Sequence, residues 1–227
     1  GDFDNPEGAP GFVPCRMTYD QVREINALTH VKNELIDEAC GRVLAHITER
    51  GWNTTTDVFF ASDHGELQGD FGLMFKGPYH TDALMRVPLI WRPAPIASVT
   101  PSVVPEPVGL LDLAPTFCSV AGLPVPDWMQ GAPLPNAPGS GRERVITEWD
   151  SQEVDQHMRT IYRDGYICTV YEGSPEGELY NVNEDPLQWY NLWDDPGYAI
   201  LRSDLIADLY DHLPPPREPA LIPVAMA

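Results

Sequence analysis

Four side chains in a short stretch could do chemistry together. Asp63 and His64 stand side by side directly after the apolar run Asp57-Val58-Phe59-Phe60-Ala61. Carboxylate and imidazole are both ordinary ligands of divalent cations, so the pair is a candidate half-site for a metal. Lys76 follows twelve residues on, in Lys76-Gly77-Pro78-Tyr79-His80. A metal pair followed by a lone cation suits an anionic group, with Lys76 offsetting charge on its oxygens. His80 could protonate a leaving oxygen or bind the anion, and a solvent-exposed or packed histidine is the plain alternative.

The elements around this stretch must place it. Thr18 and Gln21 match a capping box for a helix beginning near Tyr19. Ile25, Leu28, Leu35, Ile36, Ala39, Val43 and Ile47 recur at roughly helical spacing, and the helix is predicted to end at Arg50-Gly51. Residues 57–62 read as a strand buried on both faces, so helix and strand form one α/β unit of a parallel sheet. Ligands of such sheets bind at the carboxyl ends of strands, where Asp63 and His64 stand. Residues 65–86 read as an active-site loop, and 87–91 as another strand, with Pro88 placing it at an edge or a strand start. Residues 108–111 read as a short strand and 113–120 as a helix with Asp112 as cap and Gly122 as stop.

The pattern then changes. Runs at 145–149, 158–163, 166–171 and 178–182 are short and β-rich, and Asp164-Gly165 is a hairpin signal, so a small antiparallel sheet is expected. A last helix from about Tyr198 to Leu213 carries Leu201, Leu205, Leu209 and Leu213 at i, i+4 spacing. Residues 1–17 read as loop, and the Pro-rich tail from 214 as disordered or lying on a partner.

Composition narrows the function. The chain has 227 residues and a formal net charge of −20, which argues against nucleic acid as a partner. A protein this acidic must offset its own field locally if it handles an anion. Cys15, Cys40, Cys118 and Cys168 form no CxxC pair, so they do not read as a zinc finger. No apolar run is long enough to span a membrane. No signal peptide is visible, but the opening residues read as loop and say little about location. A cytoplasmic location is favoured over a periplasmic or secreted one.

Ser62-Asp63-His64-Gly65-Glu66, Gly69-Asp70, Gly72-Leu73, Lys76-Gly77 and Arg86-Val87-Pro88-Leu89-Ile90 together resemble the sulfatase family of the alkaline-phosphatase superfamily. Leu111-Asp112-Leu113-Ala114-Pro115-Thr116 with Ala121-Gly122-Leu123-Pro124 is similar to its next segment. Gly177-Glu178-Leu179-Tyr180-Asn181, Glu184-Asp185-Pro186 and Asn191-Leu192 are similar to its C-terminal signature. The matches run in order from about residue 19 to 213 and cover only the family's C-terminal half.

The resemblance implies an α/β fold. Residues 1–142 would be the C-terminal portion of an alkaline-phosphatase-like α/β sandwich. Residues 143–213 would be a small antiparallel sheet subdomain with a C-terminal helix, and 214–227 a Pro-rich tail. It implies a hydrolase of sulfate monoesters or related phosphate or phosphonate esters, acting on a small anionic substrate. A divalent ion (calcium, manganese or magnesium) would be held by Asp63 and His64, and the imidazole tilts the choice toward manganese. Lys76 and His80 would be the catalytic residues. Glu66 and Asp70 read as residues that support the ligands or brace the loop, Arg86 as an ion-pair partner with a substrate contact as the alternative, Asp112 as a helix cap, and Trp128 as core or surface packing with a pocket-lining role as the alternative. His30 and Lys32 read as a solvated helix face, and His46, His157 and His212 have no partner legible in sequence. Phe71 departs from the family, where a histidine often follows Gly-Asp.

Members of the family carry a Cys- or Ser-x-Pro-x-Arg motif whose first residue becomes the formylglycine nucleophile. No Cys or Ser of this chain fits it; Cys15-Arg16-Met17-Thr18-Tyr19 is the nearest. The chain therefore reads as a fragment inactive alone, completed by a missing N-terminal half or by self-association. The alternative is a non-catalytic half-domain or degenerate binding module.

Overall fold

A computed structural model describes residues 17–151 and 156–215. The expected loop at 1–17, apart from Met17, Cys15 and the tail beyond Pro215 lie outside the described residues. The chain forms two compact units, the first ending at Val145 and taking in Pro186–Gln188, the second made of the rest from Ile146 onward.

In the first unit, helix α1 spans Tyr19–Glu49. The Thr18 side chain accepts from the Gln21 N–H while the Gln21 side chain accepts from the Thr18 N–H, so the capping box forms as the sequence reads. The helix stops at Arg50, and Gly51 takes the left-handed conformation that ends it. None of its 31 residues is buried.

Strand β1 (Val58–Ala61) pairs antiparallel with β4 (Leu89–Arg92), with Phe59 opposite Trp91. This corrects the parallel α/β unit. An apolar run fixes the existence of a strand but not the direction of its partner. Nor is β1 buried on both faces: Phe60 and Ala61 are exposed. Phe59 stacks on Trp91 at 5.4 Å between ring centroids and meets Phe117 edge-on at 4.9 Å. That contact seats helix α3 (Leu113–Val120) against the strand pair.

The expected loop at 65–86 is more ordered than it reads. It holds the hairpin strands β2 (Leu67–Gln68) and β3 (Met74–Phe75) and the one-turn helix α2 (Asp82–Met85). The predicted strand at 108–111 is instead a 3₁₀ turn at Leu110–Asp112. Asp112 starts α3 but does not cap it with its side chain. Its buried carboxylate accepts from the Gly109 N–H at 2.8 Å and the Ala132 N–H at 2.9 Å and pairs with Arg142, tying a Pro-rich loop to the helix.

The second unit is the antiparallel sheet β5 (Arg144–Ser151), β6 (Gln156–Arg163), β7 (Tyr166–Tyr171) and β8 (Gly177–Asn181), in that order. Asp164 and Gly165 both have positive φ in the tight β6–β7 turn, the geometry for which Asp-Gly is suited. Helix α4 (Ala199–His212) buries Leu205 and Leu209 against Ile161, Cys168 and Leu179. Arg163 on β6 pairs with Asp204 and Asp208 on α4, adding a polar tie beside that core.

Candidate active site

Asp63 and His64 follow the end of β1, and local hydrogen bonds shape their turn. The Ser62 hydroxyl donates to the His64 carbonyl at 2.8 Å, and the His64 N–H donates to Asp63 Oδ1 at 3.0 Å. That N–H and the residue's own backbone N–H hold the Asp63 carboxyl below the usual carboxylate range, and the nearby charge of Lys76 adds a smaller pull. Its side chain is 83% exposed, open to a further ligand.

His64 Nδ1 lies 2.8 Å from the Gly65 carbonyl oxygen. A carbonyl only accepts, so Nδ1 carries the proton and a neutral ring keeps its lone pair on Nε2. Nε2 faces Asp63 Oδ2 at 3.4 Å. Two lone-pair donors facing each other at that distance need a proton or a cation between them. Ligand atoms with bonds of about 2.0–2.2 Å to one ion stand roughly 3–3.4 Å apart, which the pair meets. The residues therefore fit a divalent ion as two of its ligands. Among the described residues no group of three or more His, Cys, Asp or Glu side chains could hold a metal by itself.

Gly65 fastens this turn to α2. Its N–H donates to the Leu84 carbonyl at 2.8 Å, and a Cβ on Gly65 would overlap the Ala83 carbonyl oxygen. Only glycine lets the two backbones approach this closely.

Lys76 is exposed and follows the β2–β3 hairpin. Asp70 Oδ2 braces the hairpin by accepting from the Gln68 N–H at 3.0 Å, the role read from sequence. Phe71 and Phe75 both take positive φ, at 56° and 67°. That conformation is costly for a bulky residue and clusters where a loop is held for use. Lys76 is near enough to Asp63 for its charge to favour the ionised carboxylate.

His80 stands two residues before α2 and is only 4% exposed. It is a buried histidine, not a surface one. Two residues on, the Asp82 N–H donates to Gln188 Oε1 at 2.7 Å.

Three other histidines have local partners. His46 faces Glu49 at 3.6 Å, His157 bonds Asp150 at 2.8 Å and His212 lies 2.9 Å from Asp208. Arg86 makes the expected ion pair, with Asp82 at 3.6 Å. Trp128 is largely exposed, so it does not pack in a core of the described residues.

The C-terminal signature is structural in this unit. Asn191 Oδ1 accepts from the N–H groups of Leu179 and Trp193, and its Nδ2 donates to the Gly177 carbonyl at 3.0 Å, locking the segment after β8 onto that strand. Gln188 was not legible as a site neighbour, because 106 residues separate it from Asp82.

The family described as N-sulphoglucosamine sulphohydrolase, C-terminal, matches residues 69–213. The chain belongs to this sulfatase family. An uncharacterized sulfatase of Escherichia coli is 29% identical over 82% of the chain and 38% of its own length. The choline-sulfatase of Rhizobium meliloti is 28% identical over 84% of the chain and 37% of its own length. The solved phosphonate monoester hydrolase of Agrobacterium radiobacter superposes with a TM-score of 0.68 at 25% identity, over 78% of the chain and 38% of that protein. The fold is accordingly the mixed α/β architecture of the alkaline-phosphatase superfamily, with a small antiparallel sheet and a C-terminal helix. The chain spans less than half the length of these sulfatase relatives.

Proposed function

We propose that this chain is the C-terminal half of a metal-dependent hydrolase that cleaves sulfate monoesters or related phosphate or phosphonate esters. The observation that carries this is the His64 ring, tied through Nδ1 to the Gly65 carbonyl so that Nε2 meets Asp63 Oδ2 at 3.4 Å, with Lys76 near enough for its charge to act on Asp63.

Asp63 and His64 would hold a divalent ion, which when bound polarises the ester oxygens as a Lewis acid. Asp63 stays ionised for this role because two backbone N–H groups favour its charged form. Lys76 lies against charge that grows on the non-bridging oxygens as the ester bond breaks, and stabilises it. His80 donates a proton to the leaving oxygen. The nucleophile comes from outside this chain, because no Cys or Ser here stands in the Cys/Ser-x-Pro-x-Arg pattern.

The missing nucleophile favours a second reading, a half-domain that binds but does not turn over. The two readings part in the full-length protein. There, Asp63→Ala is expected to lower bound metal below one ion per chain and to cut hydrolysis of an aryl sulfate or phenylphosphonate monoester at least about 10²-fold. Full metal content and full activity in that variant would remove Asp63 from the site. No hydrolysis by the unaltered full-length protein would favour the binding module.

A further inference from the structure

Gln188 is out of character for a surface turn. It follows Asp185-Pro186-Leu187, its side chain is only 3% exposed, and its backbone takes a φ of 53°. A left-handed backbone is costly for a residue with a Cβ, so the turn is held in it by its contacts. Leu187 beside it is largely exposed, so apolar burial does not explain the conformation.

The Asp185 carboxylate closes this turn by accepting from the Tyr190 N–H at 2.8 Å, and the Gln188 side chain reaches from it to Asp82. Gln188 Oε1 accepts from the Asp82 N–H at 2.7 Å, at the first residue of α2. Its Nε2 is buried with no partner among the described residues, and so is the Thr81 hydroxyl. A buried polar group left unmade costs about 1–3 kcal/mol, so both groups call for a partner beyond the described residues. His80 immediately precedes Thr81. At the other end of α2, the Leu84 carbonyl accepts from the Gly65 N–H, whose carbonyl fixes the His64 ring. Gln188 thus grips one end of a four-residue helix whose entrance carries His80 and whose exit carries the His64 turn.

We infer that Gln188 is a positioning residue for the leaving-group end of the reaction: it sets the His80–Asp82 turn so that the imidazole meets the leaving oxygen. The inference rests on the proton-donor role given to His80 above. Gln188 itself touches no reacting atom.

The test reads how strongly the rate depends on the leaving group in the full-length protein. A proton donor matters for phenyl sulfate, whose phenoxide leaves poorly, and little for 4-nitrophenyl sulfate, whose phenolate leaves unaided. If phenylphosphonate monoesters are the better substrates, the same pair of leaving groups serves. His80→Ala is expected to lower kcat for the phenyl ester about 10²-fold, and for the nitrophenyl ester less than about threefold. Gln188→Leu, which removes the acceptor, is expected to show the same selective loss with KM changed less than about threefold. Gln188→Glu keeps an oxygen for the Asp82 N–H and is expected to restore most of the phenyl-ester rate. The double variant should be no slower than His80→Ala alone, because both changes act through one group.

Equal loss on both esters in Gln188→Leu, or no loss, beside a selective His80→Ala would overturn the role of Gln188 and leave His80 in place. An unselective His80→Ala would overturn the His80 assignment and this inference with it. If Gln188→Leu does not fold, Gln188→Asn carries the same comparison, its amide being one methylene too short to reach Asp82.

Discussion

Gly65 carries more of the site than its size suggests. Its N–H binds α2, its carbonyl orients His64, and a side chain there would occupy the space of the Ala83 carbonyl. Gly65→Ala must therefore push α2 away and turn the His64 ring. The expected outcome is a loss of about 1–3 kcal/mol in stability together with weakened metal binding, read by thermal unfolding with and without manganese. A variant that keeps both would show that the close approach is not needed. Asp63 and His64 were legible in sequence because ligand types that are adjacent along the chain are adjacent in space. His80 was legible as a residue type but not in its burial. Gln188 was not legible at all, since nothing in its neighbours announces a bond to a residue in a distant segment.

At the scale of elements, legibility followed the range of the interaction. The capping box of α1, the Asp164-Gly165 turn and the leucine spacing of α4 are local signals, and all three formed where they were read. The pairing of β1 was misread because its partner lies about thirty residues on and an apolar run carries no direction. The β6–β8 sheet with α4 has a pH dependence of its own. Burial pushes the Cys168 thiol from 9.0 up to about 12, and burial with the charges of Glu178 and Asp185 pushes Tyr180 from 10.0 up to about 12. Both groups stay protonated in the folded sheet at pH values where the unfolded chain has released the proton. The unfolded state then binds fewer protons, so stability falls as pH rises from 9 toward 12 and is unaffected by these groups below 9. Between pH 9 and 10.5 Cys168 alone contributes a loss of about 2 kcal/mol, visible as a falling urea midpoint. Cys168→Ala should flatten that slope; an unchanged slope would assign the loss to other groups.

The whole molecule is marked by apolar surface that its own described residues do not cover. Leu28, Val31, Leu35, Ile36 and Val43 run along α1 and all are more than half exposed, as is Ile90 on β4. A stripe of this kind on a 31-residue helix is the face a globular fold buries. The chain covers only 37–38% of its sulfatase relatives, so the remainder of a sulfatase fold is the natural cover. A second copy is the poorer cover, because two chains each at −20 repel one another. Leu35, 61% exposed in this chain, separates the cases. If the rest of the polypeptide packs on α1, Leu35→Glu buries an unpaired carboxylate in the full-length protein and lowers its stability by several kcal/mol, about 3 or more. In the isolated chain the same change removes exposed apolar area and should shift the species seen by light scattering toward the 25.3 kDa monomer. A full-length variant destabilised by less than about 0.5 kcal/mol would mean that α1 faces water in the complete protein. Destabilisation of the full-length protein together with a monomeric isolated chain would identify the stripe as the seam between this chain and the rest of the polypeptide.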